Sequence, residues 1–129
     1  HNSDSLTVLH IVWPPGISIF PHDHQTWAVI GIHAGIEDNT FYRRSENGLH
    51  NMGTVRLAPH ESRALPVDAI HAVANPESTP TAAIHVYGGD FLRIPRSEFD
   101  ADTYEERPYD AKHAASVFER ANEAWMNTR

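Results

Sequence analysis

The sequence predicts an all-β sandwich or barrel with one C-terminal helix. Short β-branched and aromatic runs recur through the first hundred residues, and Pro, Gly, Asn and Asp break them at steps of roughly 8–12 residues. A helical apolar stripe appears only near the end of the chain. At 129 residues with 40 % apolar content, the chain is sized and composed as one globular domain. Its formal charge of −7 opposes attraction to a phosphate backbone and speaks against a nucleic-acid role. No apolar run approaches the roughly 18–20 residues that cross a bilayer. With no cysteine, a disulfide framework, a thiolate zinc site, an iron–sulfur cluster and a Cys nucleophile are all excluded. Ten histidines stand against a single lysine, Lys112.

Thr7–Trp13 (TVLHIVW) reads as the first strand, stopped by Pro14-Pro15-Gly16. Ile17–Phe20 starts the second, and Thr26–His33 forms a third that reaches a turn at Gly35. Thr40–Arg43, Met52–Leu57, Ile70–Ala74, Thr81–Tyr87 and Phe91–Ile94 follow as further strands. No repeat or low-complexity tract interrupts them. After Pro108, Asp110 is placed to cap a helix over about Ala111–Asn127. Ala114, Val117, Phe118, Ala121 and Trp125 recur at three- and four-residue steps, so one stripe can cover a barrel wall. Residues 1–107 are therefore expected to form the barrel and 108–129 the helix packed on it, within the same domain.

His22 and His24 flank Asp23, and residues i and i+2 of a strand point the same way. Taken alone, the pair reads either as two metal ligands or as two surface histidines in a loop. The spacing of Gly16, His22-Asp23-His24, Ala28 and Gly35 resembles the first motif of the cupin superfamily. Pro66 to Asn75, with His71 at its centre, resembles the second, P-x-G-x-x-H-x-x-x-N. The likeness runs from about Leu6 to Ile94. It implies a double-stranded β-helix (jelly-roll) barrel with His22, His24 and His71 as metal ligands. Asp68 holds the place of the second motif's glycine, and His60 stands where a preceding glycine is expected. The motif's carboxylate ligand is replaced by Ala28, which by parity shares the face of His24 and brings no ligand atom. Three neutral imidazoles suit Fe, Zn, Cu or Ni and leave coordination positions open. Zinc hydrolysis through a bound hydroxide would use the same ligands.

Ala83-Ile84-His85-Val86-Tyr87 resembles the Ser-x-His-x-Tyr strand of the cysteine dioxygenase-like (thiol dioxygenase) family, three-histidine cupins whose first motif reads H-D-H. That resemblance implies a non-haem Fe(II)-dependent dioxygenase oxidising a small thiol to its sulfinate. Its partners would be O₂ and a thiol or other bidentate anion, and its compartment the cytoplasm. Tyr87, oriented by His85, would be the catalytic pair. Cupins often pair, and the charge permits either a monomer or a homodimer. Ala83 stands in place of the serine, and without cysteine the Cys–Tyr crosslink of some members is impossible. The arginine that holds the substrate carboxylate in the family lies upstream of the first barrel strand, at about the point where this sequence begins. Arg43, Arg44, Arg56 and Arg63 are substitutes by charge only.

The other candidates are weaker. Trp27 and His33 have odd parity and are expected to face away from the metal. His10, His50, His60 and His113 lack partners at ligand spacing, and Asp23 is expected to point outward. Glu37 lies beyond Gly35, too far along to replace the missing carboxylate, and Ser62 has no His–Asp pair. Two other functions use the same ligands: a three-histidine oxygenase cleaving a C–C bond in a diketone-like substrate, and a non-enzymatic cupin that holds a metal or small ligand.

Overall fold

Thr7–Trp13 forms strand β1 of a computed structural model that describes residues 1–129. It lies antiparallel to β8 (Thr81–Tyr87), beside which run β3 (Ala28–Ala34) and β6 (Ser62–Leu65), in the order β1-β8-β3-β6. The second sheet has the order β10-β9-β2-β7-β4-β5. Its strands are β2 (Ser18–Asp23), β4 (Glu37–Ser45), β5 (Gly48–Leu57), β7 (Ile70–Ala74), β9 (Ser97–Phe99) and β10 (Glu106–Pro108). The chain changes sheet between most successive strands, and only β4–β5 and β9–β10 are hairpins within one sheet. That alternation is the jelly-roll connection.

Period-two patterning decides which side chains enter the barrel. Thr81, Ala83, His85 and Tyr87 of β8 are buried, whereas Ile84 between them is exposed. The largest apolar cluster draws Ala28, Ile30, Ile32, Leu65, Ala83 and Tyr87 from one sheet and Leu57 from the other, so the core lies between the two sheets. Each aliphatic side chain removed from water contributes about 1.5–3 kcal/mol. A second cluster of Trp13, Ile17, Ile19 and Val73 is closed by Val117, Phe118 and Ala121 of the helix.

That helix, α1 (Ala111–Met126), starts where the sequence places it, with the Asp110 side chain accepting from the Lys112 amide at 2.9 Å. Phe118 stacks on Trp13 with ring centroids 5.3 Å apart. Trp125 does not extend the packed stripe; its ring meets the Arg129 guanidinium instead. The helix is neither long nor apolar enough to cross a membrane.

The turns account for the glycine pattern. Gly35 has φ +75°, and a Cβ there would stand 2.5 Å from Thr81 Oγ1. His60 also adopts a left-handed φ of +72°, at the position where a glycine was expected. Asp68 is not left-handed, so the other missing glycine costs the backbone nothing. Asn75 closes the second motif: its Nδ2 donates to the carbonyls of Trp13, Pro14 and Thr79, and its Oδ1 accepts from the Glu77 amide.

One expected strand is absent, and three short strands were not expected. Phe91–Ile94 is a turn, with the amides of Arg93 and Ile94 both donating to the Asp90 carbonyl. Gly88-Gly89 before it and Pro95 after it prevent a strand, and Phe91 stacks on Tyr87 instead. Strands β6, β9 and β10 had no sequence signal, being three or four residues long and rich in polar side chains.

Candidate metal centre

A register shift in β2 between Ile19 and His22 leaves every residue from Ile19 to Asp23 buried and directs the His22 ring inward. His71 on β7 is its cross-strand partner. Past the end of β2, Gln25 takes φ +58° in the turn towards the other sheet, and His24 joins the pair from there. All three histidines are buried, and one ligand atom from each lies within 4.8 Å of the others. Ala28 is buried among apolar side chains, and no carboxylate joins the group.

Hydrogen bonds fix the tautomers. His22 Nδ1–H donates to the Phe20 carbonyl at 3.0 Å, and His71 Nδ1–H donates to Asn39 Oδ1 at 2.8 Å. Each therefore presents a bare Nε2. Nε2 of His71 stands 3.1 Å from Nε2 of His24. Two nitrogens bound at about 2.0–2.1 Å to one cation, at adjacent positions, lie about 3.0–3.4 Å apart. The donor set thus fits a divalent metal. Nδ1 of His24 is buried with no hydrogen-bond partner, while its Nε2 faces that of His71. Burial, reinforced by the neighbouring cations, lowers His22 to about 4 and His24 to about 2, and it also lowers His71. Neutral imidazoles are the form that ligates.

Beside this group, Tyr87 Oη lies 3.0 Å from His85 Nδ1, as the spacing of β8 implies. The second nitrogen of His85 meets Glu37 Oε2 at 3.1 Å. Glu37 is fully buried and also accepts from Trp13 Nε1 at 2.7 Å and Asn39 Nδ2 at 2.9 Å. Glu37 does not replace the missing carboxylate ligand, as its position beyond Gly35 led one to expect. It does not join the three histidines, but it anchors both His85 and, through Asn39, the ring of His71. A carboxylate only accepts, so His85 Nε2 carries the proton and Nδ1 receives the Tyr87 hydroxyl. Burial pushes the Tyr87 phenol up, keeping it protonated.

A cavity of about 550 Å³ opens onto His22, His71, His85 and Tyr87. Arg96 lines it, half-buried between the rings of Phe91 and Tyr109, 3.9 and 3.6 Å from their centroids. Its Nη1 donates to the Asp23 carbonyl, yet it forms no salt bridge, unlike Arg44, Arg56, Arg93 and Arg107. Sequence reasoning missed Arg96 and Tyr109, because neither carries a local motif. Of the arginines considered earlier, Arg44 pairs with Glu106, Arg56 pairs with Asp38 and Arg63 lies over Phe41. None of these, nor Arg43, lines the cavity.

Asp23 does not point into solvent. It is buried and accepts from the Ser97 amide and from Gln25 Nε2, because residues 95–110 wrap over that face of β2. Trp27 and His33 are exposed, as parity predicted. His33 meets His10 at 2.8 Å on the outer surface, and His113 binds Glu98 at 2.7 Å while stacking on Phe20.

No protein-family model matches the chain, and no curated protein matches its sequence. Among solved structures it is similar to a cupin superfamily protein of Desulfitobacterium hafniense, with TM-score 0.57 and 18 % identity, covering 70 % of this chain and 72 % of that one. It is similar to the DMSP lyase DddQ of Ruegeria pomeroyi, with TM-score 0.59 and 24 % identity, covering 78 % of this chain and 46 % of that one. The cysteine peptidase Peruvianin-I of Thevetia peruviana latex gives TM-score 0.56 and 20 % identity, covering 67 % of this chain and 52 % of that one. The chain spans about half the length of these last two. These likenesses show the fold alone, a jelly-roll barrel. Their named activities differ, and a chain without cysteine cannot act as a cysteine peptidase; fold does not fix function.

Proposed function

We propose that the protein is a non-haem Fe(II)-dependent dioxygenase that converts a small-molecule thiol into its sulfinate. The reaction balances as RSH + O₂ → RSO₂H, with sulfur losing four electrons, O₂ gaining four and both oxygen atoms entering the product. The observation that carries this reading is that Tyr87 and His85, backed by Glu37, line the same cavity as His22 and His71, two of three buried imidazoles that gather without a carboxylate.

His22, His24 and His71 would hold the iron, which supplies an anchor for a thiolate and activates O₂. Because all three imidazoles are neutral, a cation held there would keep its full charge and would favour an anionic substrate. Arg96, with no carboxylate of its own, adds positive potential on the same side. The Tyr87 hydroxyl donates to His85 Nδ1, which holds the phenol in place at the cavity wall. Glu37 accepts a hydrogen bond from the Nε2 proton of His85 and fixes the ring plane. Apolar side chains make up most of the cavity wall around these groups. A cytoplasmic location goes with this reading, since thiols are kept reduced there.

The test is O₂ uptake by Fe(II)-loaded protein with a panel of thiols and dicarbonyls, with the sulfinate identified by mass. Stoichiometric sulfinate is the expected result. Consumption of dicarbonyls but not thiols would overturn it in favour of C–C cleavage. Tight iron binding with no turnover of either class would leave only a metal-binding cupin.

A further inference from the structure

The cavity is far larger, and more one-sided in charge, than a short thiol requires. Its volume of about 550 Å³ lies within the range of roughly 300–1,000 Å³ that drug-sized ligands fill. Leu9, Ile11 and Trp13 line it from β1, and Ala114 and Phe118 line it from α1. No aspartate or glutamate lines it, and its two formal charges are both arginines. Arg93 is largely exposed and lies 3.8 Å from Asp90, which leaves Arg96 as the cation available to a ligand. The Arg96 guanidinium is held in place by two aromatic rings and one carbonyl, so it is already positioned when a ligand arrives.

We infer that this site takes an amphipathic anion: a carboxylate on Arg96, an aromatic or branched aliphatic body against β1 and α1, and no amine. An ammonium group brought into this cavity would meet no acceptor of opposite charge and would face the arginine. A free α-amino acid is therefore selected against, and its des-amino counterpart is selected for. The thiol that the ligand would carry rests on the proposed dioxygenase chemistry; the anion and its apolar body rest on the cavity alone.

The experiment is calorimetric titration of the Fe(II)-loaded protein under argon with 3-phenylpropanoate, phenylalanine and phenethylamine, followed by the same series on metal-free protein. 3-Phenylpropanoate is expected to bind in both forms, phenylalanine at least about tenfold more weakly, and phenethylamine not at all. Arg96→Gln should weaken 3-phenylpropanoate by about tenfold or more. Ala114→Trp, which would fill the cavity from the helix, should do the same. The inference is overturned if 3-phenylpropanoate fails to bind, if phenylalanine binds as tightly, or if binding survives both substitutions. O₂ uptake with 2-mercapto-3-phenylpropanoate separates the two ideas. Carboxylate binding as described with no turnover of any thiol would sink the dioxygenase and leave this inference standing. Turnover of short thiols with no 3-phenylpropanoate binding would do the reverse.

Discussion

The Glu37 carboxylate lies 3.1 Å from Nε2 of His85, on the opposite edge of the ring from the nitrogen that meets Tyr87. These two residues are 48 positions apart in the chain, yet one determines which nitrogen of the other carries the proton. In the resembled family a serine two residues before the histidine completes this strand motif. Here that position is Ala83, buried with Ile32 in the largest apolar cluster, and the buried glutamate meets the ring from the other sheet.

Glu37→Gln is the direct test of that anchor. Trp13 Nε1, Asn39 Nδ2 and His85 Nε2 all donate to the carboxylate, and a glutamine offers one acceptor oxygen plus an amide that meets donors. The variant should lose about 1–3 kcal/mol of stability, read by thermal or urea unfolding. Unchanged stability would mean that the network is not formed in solution.

Tyr87→Phe removes the only hydroxyl in the chain that reaches His85 Nδ1 while keeping the ring that stacks on Phe91. Turnover should fall on the order of 10²-fold, with iron content and melting temperature close to wild type. Steady-state kinetics beside metal analysis decides this, and full activity would remove Tyr87 from the chemistry.

Acid should destabilise the metal-free protein in a defined window. Burial holds His22 at about 4, below its ordinary 6.5, so the folded ring refuses a proton that the unfolded chain accepts. Stability is therefore complete above about pH 6.5 and is lost as pH falls from there towards 4, by up to about 3 kcal/mol from this group. His22→Phe should flatten that acid limb in a pH series of melting curves, and an unaltered limb would contradict the assignment. His71→Ala should lower bound iron from about one per chain to a trace, measured by elemental analysis.

Gly35→Ala should be costly although the change is one methyl group. The backbone φ is +75°, and the added Cβ would meet Thr81 Oγ1 at 2.5 Å and its Cα at 2.9 Å. A loss of about 2–3 kcal/mol follows, a drop in Tm of roughly 5–15 °C. Gly31→Ala, where a Cβ meets nothing within 4 Å, is the matched control.

What could be read from the chain alone was whatever short-range geometry controls. Residues two apart on a strand share a face, so His85 and Tyr87 could be paired before any fold was known, and β1, β7 and β8 could be bounded to the residue. The three histidines were legible because their spacing resembles that of a known barrel, and Asp110 because a helix needs an acceptor at its first turn. Tertiary structure alone decided the roles of Glu37, Asp23 and Arg96. Glu37 enters from the opposite sheet, Asp23 is covered by a segment some 74 residues later, and Arg96 is positioned by Phe91 and Tyr109. Contacts over such separations depend on how two sheets and a wrapping segment close around a core, and a chain's local periodicity carries no record of that closure.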